Sequence, residues 1–174
     1  MQPLSVASEE QLVAELETRG VHYLARQDSV QVARARSAQC LLADLVRQPT
    51  SRVRMALISL LLAHPNFGQA APASLPALTK EQRSQLKLLY TAALLLQKEH
   101  AERLQSFLGD EWSWLPDWFS AELNLPPGTP QEQLQTLARL QQQQTGMTLN
   151  WVGTFENAAH LLLHRWELES EWSR

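Results

Sequence analysis

Two runs, "MALISLLLA" (55–63) and "LLYTAALLL" (88–96), do most to limit what this chain can fold into. Each is about half the ~20 apolar residues that a bilayer-crossing helix needs. Both therefore predict buried core helices, over about 51–63 and 80–108, whose apolar faces are the widest in the chain. Val, Ile and Thr are sparse, while Leu, Ala, Gln, Glu and Arg dominate. That composition favours helix, and no convincing strand can be read. A length of 174 residues suits one domain with a real core. The expected fold is all-α: a single-domain irregular bundle of six to seven helices over residues 1–174.

Local signals place the helix ends. Ser8 with Gln11 resembles a capping box, and Gly20 can close the first helix. A second helix is expected over about 30–47, stopping before Pro49. Thr50 caps a third, which ends near His64. Residues 66–78 read as a Pro-rich connection with one short turn of helix. Thr79 with Gln82 opens the longest helix, running to about Leu108 and closed by Gly109. A loop follows, with a short helix from about Pro116 to Glu122. Thr129 and Pro130 form an N-cap and first-turn pair, starting a helix to about Gln144 with Gly146 beyond. The last helix is expected from near Val152 to about Glu169.

Charge and motifs exclude several activities. The net charge is −3, whereas a dedicated nucleic-acid binder usually carries a basic excess. The charge is uneven. Residues 26–54 hold six arginines (26, 34, 36, 47, 52, 54) against Asp28 and Asp44. From Glu99 onward there are four arginines and eleven acids. The single cysteine, Cys40, cannot form an internal disulfide and precedes the apolar "LLADL"; it reads as a packed, inert thiol in a reducing compartment. The N-terminus lacks the basic and apolar regions of a signal peptide, so the expected location is cytoplasmic. GxGxxG, Walker, HExxH, GxSxG and CxxC patterns are all missing. No cofactor is expected.

Histidines are the main remaining source of chemistry. On a helical wheel, Trp151, Phe155, Ala158, Ala159, Leu162, Leu163 and Trp166 form an apolar arc. Glu156, His160, His164, Glu167 and Glu171 cluster opposite, which reads as a solvated face. His100 falls on the core stripe Leu86, Leu89, Ala93, Leu96, Leu104, Phe107, with Gln97 at its edge. The pair Gln97 and His100 is thus expected as a polar spot in the core, with His100 buried and hydrogen-bonded.

"WSWLPDWF" (112–119) carries three of the six tryptophans. Trp118 and Phe119 are adjacent, so on a helix they diverge by about 100°. One should pack inward while the other, or Trp114, stays partly exposed. An exposed tryptophan among Asp110, Glu111, Asp117 and Glu122 would be an anchor for a basic protein partner. The partner-binding candidates are therefore Trp112, Trp114, Trp118, Phe119 and Asp117.

Two rival readings come from other classes. A DNA-binding regulator would use the arginines of 26–54, although "MALISLLLA" is too apolar for a recognition helix in a groove. A metal-dependent enzyme would use His160 and His164, although no cluster elsewhere supplies further ligands.

Four blocks, "TSRVRMALISLLLAHPNF", "LKLLYTAALLLQKEHAERL", "LPDWFSAELNLP" and "NWVGTFENAAHLLLHRW", taken in order, span most of residues 40–169. Their pattern resembles a group of small bacterial all-helical proteins encoded next to nucleotidyltransferase-like proteins of the toxin/antitoxin type. The likeness lies in apolar and aromatic positions without a catalytic motif, so no functional residue is carried over. It implies a non-enzymatic accessory or antitoxin-like partner of such an enzyme, with nucleic acid and membrane not expected as partners.

Overall fold

A computed structural model describes residues 7–22 and 35–174. The described residues contain eight α-helices and no strand. The all-α class is as expected, and the helix number is higher than the six to seven read from the sequence. In order these are α1 (Glu9–Thr18), α2 (Ala38–Arg47), α3 (Ser51–Ala63), α4 (Ala71–Ser74), α5 (Lys80–Glu99), α6 (Ala101–Leu108), α7 (Pro130–Thr145) and α8 (Trp151–Trp172).

Helices α3 and α5 form the centre. Positions 55–63 of α3 and 88–97 of α5 are all buried, as their largely apolar runs require. Around them, α3 packs on α2, α5 and α8, and α5 also packs on α7. The Ser59 hydroxyl donates to the Ala158 carbonyl at 3.0 Å, so the one buried hydroxyl of α3 is satisfied by α8. No described helix is long and apolar enough to cross a membrane.

Capping chemistry sets several boundaries. Reciprocal capping boxes form at Ser8/Gln11, Thr79/Gln82 and Thr129/Glu132. Gly146 ends α7 in the left-handed conformation, with φ of 69°.

The structure corrects the remaining boundaries. α2 begins at Ala38, because Ser37 is extended and its hydroxyl accepts from the Cys40 N–H; residues 30–34 of the expected helix lie outside the described residues, as do Arg26, Asp28 and Arg34. Thr50 stands at the N-cap of α3 without capping it, and donates instead to Glu9. The 66–78 connection is largely helical: 3₁₀ turns at Pro65–Ala70 and Leu75–Ala77 flank α4. Its prolines sit at first-turn positions, where a missing N–H costs nothing. α8 continues to Trp172.

Two corrections affect the site. The expected 80–108 helix breaks at His100, whose φ and ψ are −110° and 20°. The break redirects α6 along α8, where Leu104 is buried and Phe107 meets Trp166 at 5.4 Å. The expected helix at 116–122 does not form. Residues 112–118 run without helix or strand, followed by turns to Asn124.

A buried ionic network joins α1 to α2. The Glu15 carboxylate is fully buried and accepts from Arg36 twice, at 2.8 Å from the backbone N–H and at 2.8 Å from Nη1. Arg19 adds a third bond at 3.2 Å. Arg36 Nε also pairs with Asp44 at 3.0 Å, which in turn pairs with Arg47 at 3.1 Å. Three arginines and two carboxylates are thus linked into one network around the buried Glu15.

Candidate functional site

The tryptophan-rich segment is held as a strap across α5. Gln97, fully buried, donates to the Ser113 carbonyl at 2.8 Å and accepts from the Leu115 N–H at 2.9 Å. One helix turn earlier but one, the Tyr90 hydroxyl donates to the Pro116 carbonyl at 2.7 Å. The Pro116 carbonyl, which a helix over 116–122 would have bonded to its own backbone, is thus taken by Tyr90. Burial, then the Asp117 charge, pushes the Tyr90 phenol well above its ordinary value, against a smaller opposing effect of the Trp118 N–H. Tyr90 is therefore a permanent donor in the neutral pH range.

The strap presses closely on the turn at Pro65–Ala70. A Cβ added to Gly68 would lie 2.7 Å from Leu115 Cδ2 and 2.9 Å from the Tyr90 hydroxyl. Glycine is needed there for close approach, not for an unusual backbone. The Gly68 carbonyl also accepts from Trp118 Nε1 at 2.9 Å. Leu115 and Phe119 are buried under the strap, and Phe119 meets Tyr90 edge-on at 5.3 Å.

What remains outside is aromatic. Trp114 is 53% exposed and Trp118 43% exposed. Half-buried Trp112 backs Trp114, ring centroids 5.0 Å apart and planes at 71°. Phe119 is thus the inward member and Trp118 the partly exposed one, a division produced by the strap's anchors and not by helical geometry. Asp117 is exposed and accepts from the Ser120 backbone N–H at 3.1 Å and from the Ser120 hydroxyl. Glu122 pairs with Lys87 at 2.7 Å.

The structure divides the polar spot read at Gln97 and His100. Gln97 is the buried one. His100 is only half-buried, because the helix break tips it toward α8, where its ring meets that of His160 edge-on at 5.7 Å. Burial, then the neighbouring His160 and Arg103, holds His100 below the ordinary imidazole range, with Glu156 opposing. Beside it, Gln131 donates to Glu156 Oε1 at 3.0 Å and to Glu99 Oε1 at 2.9 Å when its amide nitrogen faces them. Burial and the Glu156 charge raise Glu99 above the usual carboxylate range, partly offset by His160. His160 and His164 are both exposed on α8. Among the described residues no three His, Cys, Asp or Glu side chains are placed to hold a metal ion.

The described arginines of 36–54 are largely engaged within the fold. Arg36 and Arg47 belong to the buried network, and Arg54 donates to the Gln48 and Pro49 carbonyls at 2.7 and 2.8 Å. Arg52 is exposed.

The aromatic segment and Gln97 are both legible in the sequence, but Gly68 is not. Gln97 reads as part of a polar spot in the core, and its bonds to Ser113 and Leu115 make it an anchor of the strap. Gly68 carried no signal, since its role depends on a contact 47 positions away in Leu115. Comparison with family models, with curated proteins and with solved structures gives no match for this chain.

Proposed function

We propose that this chain is a non-enzymatic, cytoplasmic interaction protein, an antitoxin-like partner of a nucleotidyltransferase-like enzyme. The observation that carries the interaction reading is the pair Trp114 and Trp118, half-exposed on a strap whose backbone is fixed by Gln97 and Tyr90 and whose Trp118 indole is bonded to the Gly68 carbonyl. Tryptophan is enriched among residues that dominate binding energy, and a fixed backbone lowers the entropy cost of docking. The kind of partner rests on the sequence resemblance alone. The DNA-binding alternative has less support, since α3 is buried along most of its length and most described arginines near it already have partners.

The test is affinity capture of the tagged chain from its own cells, with stoichiometric partners identified by mass spectrometry. A nucleotidyltransferase-like protein is expected, with its complex weakened by about 2 kcal/mol or more in Trp114→Ala or Trp118→Ala. A partner of another class would overturn the enzyme assignment. A partner held equally well by both variants would overturn the strap as the binding surface.

A further inference from the structure

We propose that the Trp114 end of the strap is a receptor for an arginine side chain of the partner, with the guanidinium lying on the Trp114 ring beside Asp110 and Glu111. This rests on the interaction reading above and specifies its chemistry. The aromatic part is in place: Trp114 is exposed, while Trp112 packs against it and limits its movement. Trp118 is less suited, because its indole N–H is already bonded to Gly68.

Charge points to the same end. Of the three cations between residues 86 and 123, Lys87 is paired with Glu122 and Arg103 with Glu167, which leaves Lys98. The same stretch holds six acids: Glu99, Glu102, Asp110, Glu111, Asp117 and Glu122. Glu122 has its lysine, Glu99 is bridged to Glu156 by Gln131, and Asp117 is bonded to Ser120. Asp110 and Glu111 are exposed and have no ion-pair partner among the described residues. They also follow directly on the C-terminus of α6, whose last turn contains no basic residue. Two carboxylates at the negative end of a helix are mutually unfavourable and unfavourable with its dipole. A bound cation relieves both. Arginine fits better than lysine, because the guanidinium is planar, weakly hydrated and stacks on indole while bonding carboxylates.

The test titrates the purified full chain with a Gly/Ser peptide carrying three arginines, following tryptophan fluorescence and heat. Matched peptides carrying three lysines or three glutamates serve as controls. The arginine peptide is expected to bind at least fivefold more tightly than the lysine peptide and to weaken as salt is raised. Trp114→Ala, and separately Asp110→Asn with Glu111→Gln, should each weaken it fivefold or more. Circular dichroism would confirm that these surface variants stay folded. Equal binding of the arginine and glutamate peptides, or no loss in either variant, overturns the proposal. The two readings separate cleanly. If Trp114→Ala releases the captured partner but the acid-neutralised variant does not, the arginine site fails and the interaction reading stands. If the arginine peptide binds as expected but no partner is captured, the site stands and the interaction reading fails.

Discussion

Arg36 illustrates how much one side chain can hold. It satisfies Glu15, a carboxylate with no solvent access, and Asp44 on the next helix. Arg36→Ala leaves the buried Glu15 carboxylate with only Arg19 and the backbone N–H of residue 36, so it should lower stability by about 1.5–3 kcal/mol. Adding Glu15→Leu should recover part of that loss, since the stranded charge goes too. Urea unfolding of Arg36→Ala, Glu15→Leu and the double variant checks this; strict additivity of the two changes would count against it. At His100 the lever is pH. Its folded-state pKa is depressed, so the folded chain binds a proton less readily than the unfolded chain. Its contribution is intact above the unfolded value of about 6.5 and is lost as pH falls from there toward the folded value. Glu99 acts with the opposite sign: its pKa is raised, so its ionisation destabilises the fold as pH rises through the carboxylate range. His100→Gln should therefore flatten the loss of urea midpoint between pH 7 and 5. An unchanged slope would mean that another group governs it.

Elements differ in how far their residues announce them. The capping pairs Ser8/Gln11 and Thr79/Gln82, and the Thr129–Pro130 start, were readable because a cap is formed within four residues of sequence. The α8 arc was readable because its period is local. The strap at 112–118 was not, because it depends on bonds between distant residues, and the break at His100 carries no local signal of its own. Without the structure, nothing near Pro116 shows that its carbonyl belongs to Tyr90. That dependence is testable. Gln97→Leu leaves the buried Leu115 N–H without a partner and frees the part-buried Ser113 carbonyl, which should cost about 1–3 kcal/mol. Amide exchange at Leu115 should quicken in step. Gly68→Ala drives a methyl into Leu115 and should cost about 1–3 kcal/mol, with a shift in tryptophan emission as Trp118 loses its carbonyl. Wild-type emission in Gly68→Ala would show that the strap has room to spare.

Across the whole molecule, one hydrophobic cluster runs from Ala7 and Leu12 through α3 and α5 to Leu163. Unfolding in urea is accordingly expected to give coincident transitions by far-ultraviolet circular dichroism and by tryptophan emission; separated midpoints would reveal more than one cooperative unit. The charge asymmetry of the sequence also changes meaning here. Among the described residues, Arg36 and Arg47 are paired with Glu15 and Asp44 and Arg54 is bonded to backbone carbonyls, while Asp110 and Glu111 remain outside. The strap has a mechanical side as well. Its bonds run to Tyr90 and Gln97 on α5 and to the turn at Gly68, whereas α6 leaves the chain at His100 and rejoins it at Ser113. A partner tugging on Trp118 would therefore load the central helix and its neighbouring turn directly, while α6, held against α8, stays off that path. Tension at the surface would reach the middle of the molecule by the shortest path available and bypass the helix that sequence alone would have put in the way.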